Sequence, residues 1–334
     1  MMGIFRKKPP VPPAATTAPE PPEPPVDPLL GDADAHRFRR ELDEGRWQEY
    51  HDFLAALPNS RQRDFYLLNL IPAGGPRPWV DEWAAARPSS ALPLVFRGRG
   101  KALWAWEARG GGRAGTVKED SWPVFYQRLV DADRDLAQAA AADERDPMPH
   151  SHSIWVAMGL SLGQEEVQRR YAEVDRREHL HASAGVAMIQ ATARKWGGSH
   201  EGMFEFARSV SAQAPDGHSG HKLVALAHIE RWLDAPKDQQ PAYFRDEAVQ
   251  AEIRAAADRS VRSPLYAGGV VDPVDRNPFA MCFYLMRDYD AQLEQMRLIG
   301  PHITAAPWQY QGRAGRAYER ARQRALQATG QSAG

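Results

Sequence analysis

Strong helix breakers recur along this chain at intervals that leave room for one helix and little else. Pro58-Asn59, Pro72 to Pro78, Gly110-Gly111-Gly112, Pro147 to Pro149, Pro215 to Gly217, Pro236, Gly268-Gly269 and Pro301 cut it into short pieces. Proline fixes φ and removes a donor, while glycine frees the backbone to turn. Between the breakers, apolar residues recur at three- and four-residue steps, without the two-residue alternation of a strand. Over 124–142, Phe125, Leu129, Ala132, Leu136 and Ala139 share one side, with Arg128, Asp131, Asp135 and Gln138 on the other. Val186, Ile189, Ala193 and Trp196 make a second stripe that Gly197-Gly198 is placed to end. Ser199 then reads as the N-cap of a helix whose Met203, Phe204, Ala207 and Val210 face one way. Further helices are predicted over 223–233, 244–261, 279–286, 290–298 and 313–327. Helices of this length on short connections make antiparallel neighbours, so the expected fold is all-α, a bundle or a superhelix of stacked pairs.

Two internal echoes favour the superhelix. Pro147-x-x-His150-Ser151 resembles Pro215-x-x-His218-Ser219, and a helix ending Trp106-Glu107-Ala108-Arg109-Gly110 resembles one ending Lys195-Trp196-Gly197-Gly198. The two offsets differ, which reads as an irregular duplication of helix pairs, not a fixed-period array.

Residues 9–28 hold ten prolines in twenty positions. Too little apolar surface is present to offset the ordering entropy, so 1–31 is expected to be a disordered, extended arm and 32–330 a helical-repeat domain. Arg6-Lys7-Lys8 is not followed by an apolar run, and no stretch approaches the ~18 apolar residues of a membrane helix. No integral membrane segment and a cytoplasmic location are therefore expected. With 42 Lys and Arg against 43 Asp and Glu, the net charge of -1 gives no field that would draw nucleic acid. The cations are overwhelmingly arginine and alanine is abundant, which points to a GC-rich bacterial genome.

No catalytic or metal-binding signature is assembled. Cys282, the single cysteine, lies in the apolar run 279–286 and reads as a core residue, so neither an internal disulfide nor a cysteine zinc cage is available. The histidine pairs His150/His152 and His179/His181 have a spacing that points side chains about 200° apart on a helix. With His218 and His221 they read as exposed loop or cap residues, so no metal and no cofactor is predicted. Gly98-x-Gly100 and 110–115 read as loops without the phosphate-loop pattern, and Ser219 lacks the context of a nucleophile elbow. Glu165-Glu166 reads as a solvated helix start. His228 and Glu230 are expected to hydrogen-bond adjacent helices while Ile229, Trp232 and Leu233 pack inward, with Glu230 and Arg231 placed for an ion pair. The ten tryptophans are mostly expected to fill gaps between helix pairs, with a minority beside arginine in a binding groove. Trp104 and Trp106 cannot both face inward.

Taken together, the strings Trp104-Ala105-Trp106-Glu107-Ala108-Arg109-Gly110, Lys195-Trp196-Gly197-Gly198-Ser199, Ala227-His228-Ile229-Glu230-Arg231-Trp232-Leu233 and Pro307-Trp308 resemble a bacterial, actinobacterial family of tetratricopeptide-like helical proteins known as a domain of unknown function. The resemblance covers roughly 35–312 and implies an irregular α-α superhelix, with no activity, substrate or cofactor attached. The expected function is a protein-protein interaction scaffold or adaptor that takes a protein or peptide partner on its concave surface. Its candidate binding residues are Trp104, Trp106, Arg109, Trp196, His228, Glu230, Arg231 and Trp232. The alternative is a metal- or acid-base-dependent hydrolase built from the His/Glu-rich region 150–230. A third reading is an immunity-like protein with one tight partner.

Overall fold

The computed structural model describes residues 23–110 and 117–332. Sixteen α-helices, and no strand, occur among the described residues: α1 (Ala33–Asp43), α2 (Gln48–Ala56), α3 (Ser60–Leu70), α4 (Trp79–Ala86), α5 (Leu92–Arg109), α6 (Ser121–Ala142), α7 (Met148–Gly159), α8 (Gln164–Asp175), α9 (Ala182–Ala191), α10 (His200–Gln213), α11 (Lys222–Asp234), α12 (Gln240–Tyr243), α13 (Glu247–Arg259), α14 (Asp272–Met286), α15 (Tyr289–Ile299) and α16 (Ala314–Thr329). The fold is all-α, as the breaker spacing requires, and no helix among the described residues is long and apolar enough to cross a membrane.

The pair α5/α6 shows how the local sequence sets the packing. Arg97 lies opposite Asp135 and Trp104 opposite Arg128, so the two helices run antiparallel. The stripe Phe125, Leu129, Ala132, Leu136 and Ala139 is buried as predicted. Asp135, expected on the solvent face, is only 3 % exposed. It accepts from Arg97 Nε at 3.0 Å and Nη2 at 2.8 Å and pairs with Lys101 Nζ at 2.7 Å, which compensates a charge that burial alone would penalise. Gly98 and Gly100 are also not in a loop: both lie inside α5. A Cβ on Gly98 would stand 2.9 Å from Leu136 Cγ and 3.1 Å from the Ala132 carbonyl oxygen, so the missing side chain is what lets α6 approach.

The second predicted stripe is broken. α9 ends at Ala191, Thr192 donates its hydroxyl to the Met188 carbonyl at 2.6 Å, and Ala193 is extended. Arg194–Trp196 then forms a separate 3-10 turn. The internal echoes do not occupy equivalent places: Trp106 is in a long helix and Trp196 in this turn, while Pro147-x-x-His150 opens α7 and Pro215-x-x-His218 is a loop. Ser199 caps α10 by accepting from Gly202 N at 3.0 Å, as expected.

Five apolar clusters follow one another along the chain, the largest around Phe279, Phe283, Trp308 and Tyr318 and the next around Phe38, Tyr50, Trp83 and Phe96. Their indoles are satisfied inside, Trp83 by His51 at 3.1 Å and Trp308 by Asn277 at 2.6 Å. Cys282 is fully buried here, and burial pushes its thiol well up, away from reactivity. The first described residues reach both the C-terminal and the N-terminal helices: Glu23 pairs with Arg313 at 2.9 Å, Val26 packs on the C-terminal cluster, and Leu29 and Leu30 are buried in the N-terminal one. Residues 23–31, which composition assigns to the arm, therefore pack against the helical body; 1–22 lie outside the described residues.

A buried carboxylate ties distant parts together. Asp275 has no exposed surface and accepts from Arg61 of α3, from Lys222 Nζ at 2.7 Å and from the Tyr266 hydroxyl at 2.9 Å. Asp275→Asn leaves Lys222, only 5 % exposed, without its counter-ion. The expected loss is about 3–5 kcal/mol, read from urea denaturation; a loss under about 1 kcal/mol would remove this joint from the fold's supports.

Burial also holds His51, His150, His152, His218 and His221 below the ordinary histidine value, His150 at about 4. In each case the fold favours the neutral ring. Above the unfolded value of 6.5 both states are neutral; as pH falls toward 4 the unfolded chain takes up protons that the native state refuses. Glu166 and Glu252, each held at about 2 mainly by hydrogen bonds from Arg169 and Arg208, add a loss in the same direction below 4.5. The denaturation midpoint is expected to drop continuously from pH 7 to pH 4, and less steeply in His150→Gln; a midpoint that stays level over that range is the contrary result.

Candidate functional site

A cleft of about 790 Å³ opens between α5, α7, the end of α9 with its following turn, and α11. Volumes of this order are typical of ligand sites. α5 contributes Arg99, Leu103, Trp106 and Arg109, residues that recur at three- and four-residue steps down one face. α7 adds Trp155 and Met158. The turn supplies Arg194, Lys195 and Trp196 and is closed by Gly197 at φ 83°, a left-handed conformation that glycine adopts without strain.

Trp106 and Trp196 meet edge to face, with ring centroids 5.3 Å apart at 87°. The Arg109 guanidinium carbon lies 5.5 Å from the centroids of Trp106, Trp122 and Trp196 alike. A cation among aromatic faces at this distance is held by the ring quadrupoles. Across the cleft, Glu230 accepts from Gln190 Nε2 and Lys195 Nζ, both at 2.6 Å. Asp234 pairs with Arg194 at 2.7 Å and His200 at 3.0 Å. Burial opposes ionisation of Asp234, but the hydrogen bond and charge of Arg194 outweigh it and hold the carboxyl below its ordinary value. Both acidic groups of the cleft are thus occupied by its own cations.

The predicted binding residues divide. Trp106, Arg109, Trp196 and Glu230 come together in the cleft. Trp104 turns away, with the Arg128 guanidinium 3.3 Å from its ring centroid. His228 points to the other side of α11, between the Tyr243 hydroxyl at 2.8 Å and Glu252 at 3.1 Å, as the expected helix-to-helix bonding requires. Of the two residues expected to reach neighbouring helices, Glu230 pairs with Lys195 beyond α9 and Arg231 lies 5.7 Å from the Tyr243 ring. Trp232 is 6 % exposed and packs on Phe244. Arg99 and Trp155 went unassigned in the sequence. Trp155 had the signal of any tryptophan, whereas Arg99 was masked by two glycines that read as a loop.

The histidine region does not assemble the alternative site. His152 and His181, expected to be exposed, are each 2 % exposed. Their Nε2 atoms lie 3.3 and 3.9 Å from the Asp64 carboxylate, while His181 Nδ1 caps α9 by accepting from Ala184 N. His179 remains on the surface beside Asp175. Among the described residues no group of three or more His, Cys, Asp and Glu is arranged to hold a metal ion. Comparison with family models, curated proteins and solved structures finds no significant match.

Trp196→Ala is expected to leave the fold intact at a cost below the about 3–5 kcal/mol of a fully buried tryptophan, because part of its ring faces the cleft. Thermal unfolding checks this; a full-sized loss would make Trp196 a core residue.

Proposed function

We propose that the chain is a protein-protein interaction scaffold that holds an apolar segment of a partner in the cleft between α5, α7 and α11. The single observation that carries this reading is the pairing of Trp106 and Trp196 around Arg109 in the lining of a 790 Å³ space. Tryptophan and arginine in a partly desolvated pocket are the residues that contribute most to binding hot spots. The carboxylates of the cleft are engaged with Lys195 and Arg194, which removes the obvious general base and favours binding over chemistry. In this reading the helices form an irregular, tetratricopeptide-like α-α superhelix, with the cleft on its inner face. The consecutive packing of α5 on α6, α6 on α7 and α7 on α8, and of α14 on α15 and α15 on α16, supports it.

The test is selection from a displayed random-peptide library against the full chain. Peptides with an aromatic or large aliphatic residue should be enriched, and Trp106→Ala and Trp196→Ala should each weaken them at least tenfold with an unchanged helical circular dichroism spectrum. Peptides that bind both variants as well as the parent would place the interaction elsewhere.

A further inference from the structure

Among the residues that line the cleft is a buried cation two of whose donors find no acceptor in the protein. Arg99 is 9 % exposed, and its Nε and Nη1 are buried without an acceptor. Its guanidinium carbon lies 5.5 Å from the Trp155 ring centroid, and the side chain forms part of the cleft lining. An arginine donor left without an acceptor in the interior is costly, and an ionised oxyanion is the partner its fork fits best. The cleft's own carboxylates are not available to it, since Glu230 and Asp234 are bound to Lys195, Arg194 and His200. Asp64 lies behind and acts on Arg99 through space. Burial pulls the guanidinium down to about 10, which still leaves it fully cationic at neutral pH.

The walls beside Arg99 carry Leu103, Trp106, Trp155, Met158 and Trp196, with the Arg109 guanidinium held against the rings of Trp106 and Trp196. A group that reaches the arginine must therefore arrive at the tip of an apolar stem. A bare inorganic anion would leave the tryptophans in water, and a neutral apolar group would leave the arginine unpaired.

We propose that the cleft selects a carboxylate carried beside an apolar or aromatic group, with Arg99 as its anchor and Trp106, Trp155 and Trp196 as the walls that hold the stem. The inference rests on the reading of the cleft as the site for a partner segment, in which an acidic side chain next to an aromatic one supplies the carboxylate. Lys195 and Arg194 remain engaged with Glu230 and Asp234, so the anion adds one new pair and displaces none.

The experiment uses 1-anilinonaphthalene-8-sulfonate as a fluorescent reporter on the full chain, with Trp196→Ala marking the signal that comes from the cleft. Phenylacetate is expected to displace the reporter at a concentration at least tenfold below that of phenylacetamide, which has the same stem and no charge. Arg99→Met should abolish that ratio and Arg99→Lys retain part of it; should the methionine variant not fold, the parent ratio and the lysine variant still decide. Two capped dipeptides, acetyl-Phe-Glu-amide and acetyl-Phe-Gln-amide, identify the source. The acid should displace the reporter better than the amide if a partner segment brings the carboxylate. A gap confined to the free acids would keep the carboxylate anchor and overturn the partner-segment reading. Equal displacement by acid and amide in both pairs, or a ratio that survives in both Arg99 variants, overturns the inference while the cleft remains a site. No cleft-dependent signal from the reporter overturns both.

Discussion

The architecture depends on burying charge in compensated form. Asp275 is withdrawn entirely from water, a transfer that is affordable only because Arg61, Lys222 and Tyr266 all converge on it. These partners come from α3, from the start of α11 and from the loop before α14, so one carboxylate fixes how the first third of the chain meets the last. Between those parts of the chain, α5 packs on α7, α7 on α9 and α9 on α11, and residues of these helices line the cleft. Asp135 with Arg97 and Lys101, and Arg170 with Asp133 and Glu166, repeat the principle on a smaller scale.

Much of the fold was legible because helices on short loops announce themselves through period and punctuation. The stripe of α6, the Ser199 cap and the breaks at Pro58, Pro147, Pro215 and Pro301 are local properties, and local physics places them. What escaped were residues whose role is set by a neighbour far along the chain. Asp135 looks solvated until Arg97 and Lys101 are brought against it. Gly98 looks like part of a loop until α6 needs its missing side chain, and His152 and His181 look exposed until Asp64 is placed between them. Proline-rich composition argues for an arm through residue 31, yet Leu29 and Leu30 are buried, and Val26 and Glu23 hold the segment to the C-terminal helices.

The candidate site was legible by halves for the same reason. Trp106, Arg109, Trp196 and Glu230 carry residue types that stand out anywhere, so composition found them. Trp104, two positions from Trp106, shares its signal and points away, because neighbours at that spacing lie on different faces of a helix. His228 and Glu230 part company for the same reason, one toward α13 and the other toward the turn after α9. Arg99 had no sequence signal at all. Its importance comes from depth and from lacking a partner, neither of which a one-dimensional pattern contains.

The chemistry of the cleft follows from which charges are already spent. An acid-base site needs a group whose proton is exchangeable and directed at open space. Glu230 and Asp234 face the cleft but are bound to its own cations, and His200, which also lines it, is paired with Asp234; His152 and His228 are turned toward Asp64 and α13. Aromatic walls and an arginine without an acceptor remain. On the proposed reading, these groups hold an anion on an apolar stem. On that reading, the ion pairs Lys195–Glu230 and Arg194–Asp234 hold two walls of the cleft before a partner arrives, so that less ordering is left to oppose association.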